Sequence, residues 1–308
     1  MGIPAHWTGS LATVSNYNIP EYANPQRGLT TRDDGHFFYG DFSEGFDFPK
    51  HKVRPHRHPY FEIFYFPAAQ GQYLADFITY DLEGACLVVV SPGQIHGWPH
   101  GHLLKGHMLA FDETFLADHG QHEDLLIRPP LFYEPNSSSV LPLPENSLIP
   151  SRIQCIASEY GSDSCDTLTA LRSLLSLLII EAHRVNPHQA PTTSPASTRI
   201  YQQFLKLLGR DISEKHLPGD YAAALGVSTD YLSQCVRQNC GHGAGTLVRR
   251  RTTLEAKRLL AHSSLTIAEI AYQLNFKDPS YFSRFFKNQV GCLPNAFRSQ
   301  AEGASSAS

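Results

Sequence analysis

Two stretches of this chain, YLSQCVRQNCG (231–241) and YFSRFFKNQVG (281–291), are versions of one another. In both, Tyr, an apolar residue and Ser stand together, and a Gly closes the unit ten residues after the Tyr. Ahead of each comes a matching lead, Ala222–Leu225 with Gly226-Val227 and Ala271–Leu274 with Asn275-Phe276. A unit of this form is two short helices joined by a turn. Gly226 or Asn275 takes the position where a left-handed backbone is tolerated. The helix starts are marked as well. Thr266 with Glu269 makes a capping box. Asp278-Pro279 supplies an N-cap and a first-turn proline, and Ser228 caps the equivalent helix of the first copy. The repeat limits the last third of the chain to a small all-α fold built twice.

The second helix of each copy has two unlike faces. From about residue 229, Leu232, Cys235 and Val236 share one side, while Asp230, Ser233, Gln234 and Arg237 share the other. From about residue 279, Phe282, Phe285 and Phe286 face inward, while Ser280, Tyr281, Arg284 and Lys287 point away. A recognition helix needs this division: Arg can bond guanine bidentately in the major groove, and Gln adenine. Two such helices about one DNA turn apart could enter successive grooves. Charge agrees. Residues 1–196 hold 11 Lys+Arg against 21 Asp+Glu, a net of −10, whereas residues 197–308 hold 14 against 8, a net of +6. A basic tail behind an acidic front implies different partners for the two, and a polyanion for the tail.

The front half reads differently. HFFYGDF, YFEIFYF, GQYLADFITY, ACLVVVSP and GHMLAFD are short, aromatic and β-branched runs between Gly and Pro, the pattern of strands in a sandwich or small barrel. From about 148 the period changes to helical. After a first helix (149–160) and a break near GSDSCD, Leu168, Leu171, Leu175, Leu178 and Ala182 form a stripe that Leu174 and Leu177 widen. So broad a stripe needs a partner, either the barrel or a second subunit. NPHQAPTTSPAST (186–198) reads as a linker. No run reaches the ~18 apolar residues of a membrane span, and the N-terminus has no export pattern. The six Cys form no CxxC pair, so they read as reduced core thiols in a cytoplasmic protein.

Residues 54–66, RPHRHPYFEIFYF, hold the chemistry of the front half. In a regular strand His56, His58, Tyr60, Glu62, Phe64 and Phe66 share a face, and Arg57, Phe61, Ile63 and Tyr65 the other. With SPGQIHGW (91–98), the face offers three readings, the third being that its histidines are purely structural. As an effector pocket, Phe64, Phe66 and Trp98 suit an aromatic ring while His56, His58, Glu62 and His96 supply polar contacts. As a metal site, the same His56, His58, Glu62 and His96 form an imidazole and carboxylate set suited to Fe, Mn, Ni or Zn. The first reading needs no cofactor; in the second the ion also helps bind the effector, or else makes the chain a metal-dependent dioxygenase or isomerase fused to a DNA-binding domain.

TIAEIAYQLNFKDPSYFSRFFKNQVGCLPNAFR (266–298) resembles the second helix-turn-helix and closing helix of the AraC/XylS family of bacterial regulators. GVSTDYLSQCVRQNCG and RRRTTLEAKRLL resemble that family's first helix-turn-helix and connecting helix. Asn275 departs from the family's usual Gly, and Asp230 puts an acid on the first reading face. The resemblance implies that Asp230, Ser233, Gln234, Ser280, Tyr281 and Arg284 face DNA, with Arg237 and Lys287 near phosphates. Arg249–Arg251 could hold phosphate, but Arg251 matches a position where a structural salt bridge is as good a reading. The H-x-H-x3-E spacing and SPGQIH resemble the two cupin motifs. PHRHPYFEIFYF and SPGQIHGW look most like regulators of 4-hydroxybenzoate and 4-hydroxyphenylacetate catabolism. The expected architecture is multidomain, β then α: a cupin-like β-barrel that binds effector (1–140), a helical dimerisation segment (141–186), a linker (187–198) and an all-α double helix-turn-helix domain (199–301). The implied protein is a non-enzymatic regulator, an activator by the resemblance. Its partners are promoter DNA, RNA polymerase, a second copy of itself and a small, aromatic acid effector; no membrane is among them.

Overall fold

The front half is organised by one long strand with two apolar faces. The computed structural model describes residues 36–42, 55–98, 104–117, 123–126, 131–132, 139–185, 195–212, 215 and 217–305. Its strands are β1 (Phe37–Asp41), β2 (Phe61–Ala75), β3 (Ile78–Val90), β4 (His96–Gly97), β5 (His107–Phe111) and β6 (Val140–Pro142). They form one antiparallel sheet in the order β1-β5-β2-β3-β6, with β4 against the end of β2. Alternation along β2 divides its side chains. Phe61, Ile63 and Tyr65 enter a core with Leu87, Val89 and Leu109. Phe64, Phe66 and Tyr73 enter another with Val88, Met108 and Trp98 on the opposite face.

Two expected strands are redrawn. GQYLADFITY is not one strand: the chain reverses at Asp76-Phe77, where Asp76 takes φ 53° and Ala75 pairs with Ile78. A two-residue hairpin turn asks for a left-handed residue, and Asp can supply it without Gly. YFEIFYF instead runs on into GQYLA across a bulge between Phe66 and Ala69. Exposed Pro67 sits in that bulge, where its missing N–H breaks no ladder bond.

Helices cover the first core. They are α1 (Glu113–Ala117), α2 (Glu123–Leu126), α3 (Ile149–Tyr160) and α4 (Thr167–Val185). The stripe of α4 is consumed within the chain: Leu171, Leu175, Leu178, Ile179 and Ala182 are fully buried against the sheet and α3. Leu174 and Leu177 remain as a half-buried flank. Residues 186–194 of the expected linker lie outside the described residues. Its last four, 195–198, form the first turn of α5 (Pro195–Arg210), opened by a proline that a helix start accommodates.

The tail continues with α6 (Pro218–Ala224), α7 (Thr229–Cys240), α8 (Ala244–His262), α9 (Ile267–Gln273), α10 (Pro279–Val290) and α11 (Pro294–Ser305). It has two cores strung on one helix. Ala244, Leu247 and Val248 of α8 pack with Tyr201, Phe204, Leu232 and Val236. Ala256, Leu259 and Leu260 pack with Ile270, Leu274, Phe282 and Phe286. Helix α8 thus offsets the two cores by 12 residues, Ala244 to Ala256, or roughly 18 Å along its axis at 1.5 Å per residue.

The hairpin tip joins the two halves. Phe77 lies against the second tail core, its ring 6.1 Å from that of His262 and 5.9 Å from that of Phe297. Arg258 of α8, only 2% exposed, donates to both Asp76 oxygens at 2.7 and 3.0 Å and to Glu255 at 3.1 Å. Among the described residues, no helix is long and apolar enough to cross a membrane. The cysteines are unbridged, and burial pushes the Cys86 thiol up to about 12.

Two outcomes are expected. Leu178→Ala removes a fully buried side chain and lowers stability to urea by about 2–5 kcal/mol. Burial, and then the nearby Arg258 and Arg57 against the opposing pull of Asp76, depress His262 to about 4. Its contribution is complete above the ordinary value of about 6.5, where the ring is neutral folded or unfolded. It falls as pH drops from there to about 4, because the unfolded chain takes up the proton first. Urea midpoints measured across that window decline in the parent and decline less in His262→Phe.

Candidate nucleic-acid interface and ligand site

The two helix-turn-helix copies turn by the same backbone device. Val227 donates to the Ala222 carbonyl (3.0 Å) and Gly226 to Ala223 (3.1 Å). In the second copy Phe276 donates to Ala271 and Asn275 to Tyr272, both at 2.8 Å. These paired bonds end a helix only when the residue after the cap is left-handed. Gly226 has φ 66° and Asn275 φ 56°. The following helices are capped as their sequences imply. Ser228 Oγ accepts from Tyr231 N at 3.2 Å, and Asp278 Oδ1 from Ser280 N at 2.9 Å. The reciprocal capping box of Thr266 and Glu269 starts α9.

With these starts fixed, the polar faces of α7 and α10 point to solvent. Asp230, Gln234 and Arg237 are exposed and Ser233 is half-buried, around a shallow depression that Gln238 also lines. Ser280, Tyr281, Arg284 and Lys287 are exposed, and Tyr281 keeps 56% of its surface open. Behind them Leu232, Cys235 and Val236, and Phe282 and Phe286, are closed in the cores. Phe285 is half-buried beside Phe276. Gln238, one turn on from Gln234, was missed because it lies at the edge of the polar arc. Of the basic triple, Arg249 is exposed, whereas Arg250 and Arg251 line a cleft of about 270 Å³ between the halves of the chain.

The front-half site is a buried knot of imidazoles. Before β2 the chain passes β4, and His56 and His96 exchange two backbone hydrogen bonds of 2.9 Å. β4 also pairs with the end of β2, Ala75 opposite His96. His56, His58, Glu62 and His96 are each at most 3% exposed. Nitrogen atoms of the three histidines lie within 4.8 Å of one another. His58 Nε2 is 3.0 Å and His96 Nε2 3.2 Å from the same oxygen, Glu62 Oε2. Neither approach is aligned as a hydrogen bond. The other ring nitrogens face carbonyls: His58 Nδ1 lies 2.8 Å from Tyr60 O, and His96 Nδ1 3.2 Å from Gln94 O. Burial would raise the Glu62 carboxyl, but His58 and His96 override it and hold it well below the usual carboxylate range. Burial pulls His58 below its ordinary value against the opposing effect of Glu62.

Phe64, Phe66 and Trp98 pack beside this knot on the same face. The Trp98 ring meets Phe64 and Phe66 edge-on at 5.0 and 5.4 Å, and lies 4.7 Å from Tyr73. Tyr73, which no motif signalled, is fully buried, and its hydroxyl has no hydrogen-bond partner among the described residues. All seven expected ligand-site residues therefore gather on one face. The aromatic three fill space against each other. The junction cleft, lined by Asp76, Phe77, Tyr80, Arg250, Arg251 and Lys257, was invisible in the sequence because its walls come from segments far apart.

Comparison with known proteins places both halves. Residues 45–202 match the model of the AraC-like ligand binding domain, and residues 221–300 that of a helix-turn-helix domain. The chain is 26% identical over 231 residues to an uncharacterized HTH-type transcriptional regulator, YisR, of Bacillus subtilis, covering 71% of this chain and 79% of that one. It is 23% identical over 255 residues to the HTH-type transcriptional activator RhaR of Cronobacter sakazakii, covering 82% and 89%. Among solved structures it is similar to the C-terminal domain of AraT, a response regulator from Geobacillus stearothermophilus: 28% identity, 35% of this chain and 88% of that one, TM-score 0.31. The first domain model alone spans more than half of the chain, and the second falls on the repeated helical units. The chain belongs to the AraC family of transcriptional regulators, a ligand-binding domain followed by a DNA-binding helix-turn-helix domain.

Proposed function

We propose that this regulator is a one-component activator in which a small organic acid, bound by the sheet domain, controls the grip of the tail on promoter DNA. One observation carries the DNA half: two separately cored helices, α7 and α10, are capped alike and turn polar, cation-bearing faces to solvent. Ser280, Tyr281 and Arg284, with Ser233, Gln234 and Asp230, read base edges. Arg237 and Lys287 neutralise phosphate. Asp230 suits cytosine N4, since a carboxylate accepts but cannot donate. Activation through RNA polymerase follows the family resemblance and the activator among the relatives. The relatives reported above are regulators, which supports a sensor over an enzyme in the front half. Two copies associate through the half-buried flank of α4, Leu174 and Leu177.

The effector is an aromatic carboxylate in the cupin-like sheet domain, its ring against Phe64, Phe66 and Trp98 and its acid group toward the histidines. A second location has its own support: the junction cleft carries Arg250, Arg251 and Lys257 beside the apolar Phe77 and Ile78. In either place the effector can act only by binding one arrangement of the halves more tightly. Asp76 is the joint. It accepts from Ile95 N through its side chain (3.3 Å), donates from its own N–H to Ile95 O (2.6 Å), and holds Arg258 of the DNA-binding half. His96 is the next residue.

Arg284→Ala is expected to lose about 1–3 kcal/mol of specific binding and to relax preference at one base pair. Lys287→Ala weakens all sequences alike and lowers the salt slope by about one. Gel shifts on promoter and random duplex at several salt concentrations separate the two, and an unchanged Arg284→Ala would remove that residue from base reading. Asp76→Ala frees Arg258. DNA affinity then responds at least tenfold less to effector, while an unaltered response in the same assay would show that the joint is not used.

A further inference from the structure

The structure assigns a divalent transition-metal site to His56, His58, His96 and Glu62. A neutral imidazole has one N–H, and in His58 and His96 the carbonyls of Tyr60 and Gln94 engage it at Nδ1. Each Nε2 then presents a lone pair, and both lie close to one oxygen of Glu62, at 3.0 and 3.2 Å, without hydrogen-bond alignment. Lone pairs crowded against a carboxylate oxygen in a dry interior call for a cation among them, and a divalent ion serves three imidazoles and the carboxylate at once where a proton serves a single pair. His56 brings a third imidazole, its ring 4.2 Å from that of His96.

A carbonyl behind each ring is the arrangement that fixes tautomer and orientation in metal-ligating histidines. Three imidazole nitrogens and one carboxylate favour zinc, cobalt, nickel, iron or manganese over magnesium or calcium, which prefer oxygen. The Tyr73 hydroxyl, fully buried and unpartnered among the described residues, adds a polar group to the same face, its ring 6.4 Å from that of His96.

Charge suggests what the ion does, and this part rests on the sensor reading above. Among the described residues the sole buried lysine or arginine is Arg258, which is committed to Asp76. A carboxylate effector inside the sheet domain would meet Glu62 and no buried ammonium or guanidinium. A divalent ion beside Glu62 leaves one net positive charge, enough to hold one carboxylate.

The test uses the full-length protein, stripped with chelator and titrated with Co²⁺. One equivalent per chain, with visible d–d absorption that Zn²⁺ abolishes and Mg²⁺ does not, is the expected result. His58→Gln and His96→Gln, with unchanged circular dichroism, should each weaken Co²⁺ binding at least about tenfold. Should those variants misfold, zinc-edge X-ray absorption of the parent decides: nitrogen and oxygen neighbours with imidazole scattering support the site, and sulfur ligands overturn it. Failure to take up one equivalent, or uptake unchanged in folded His58→Gln/His96→Gln, also overturns it. Thermal shifts with benzoate-type acids on stripped and Zn²⁺-loaded protein then separate the two ideas. Shifts confined to the loaded form support the ion as anchor, and equal shifts in both forms overturn that role while leaving the sensor. No shift in either form, with stoichiometric metal uptake, sinks the aromatic-acid reading and spares the site.

Discussion

A guanidinium cannot shed its charge at any ordinary pH, so a buried Arg dictates its surroundings. Arg258 is nearly inaccessible near the C-terminal end of the helix that carries both tail cores, and its partners come from two places. Glu255 is one turn back on α8; Asp76 belongs to the tip of a hairpin in the other half of the chain. Removing one member of such a buried pair typically costs several kcal/mol, because the remaining charge is stranded. The hairpin is therefore held in place, and Phe77 with it against His262 and Phe297. Ligand-binding and DNA-binding halves meet at this buried charged contact flanked by rings, with the more exposed pairs Arg57–Glu255 and Lys206–Glu113 also crossing between them.

The sensor half depends on the parity of β2. Odd positions from Phe61 to Tyr65 feed the core that α3 and α4 close, and even positions from Glu62 to Phe66 feed the face with the histidines. A slip of one residue in register would exchange the two sets. It would send Glu62 into the Leu-rich core and Ile63 among the imidazoles. The bulge at Pro67 bends the strand without disturbing that assignment, because it falls after Phe66.

Much of this was legible in the sequence, for reasons that are local. Capping residues, left-handed turn positions and alternating faces are properties of short windows, and Ser228, Thr266, Asp278, Gly226 and Asn275 all stand where those windows put them. The hairpin at Asp76-Phe77 was not legible: Asp76 is a turn former, but no Gly or Pro accompanies it and the apolar run continues through Phe77. The contact with Arg258, 182 positions away, has no local trace at all. The α4 stripe showed that a partner surface was needed and left open which; its own sheet and α3 supply it. The histidines were found as a group through strand parity and one distant motif, whereas Tyr73 looked like any aromatic in a strand.

β4 is two residues long, yet it is zipped on both sides, to His56 along one edge and to the end of β2 along the other. A segment so short has no slack. Sideways travel of the His96 backbone is carried directly to Ile95, and from there by two hydrogen bonds to the Asp76 carboxylate and amide. The imidazoles and the guanidinium on the far side are thus tied together by one continuous run of backbone and side-chain hydrogen bonds.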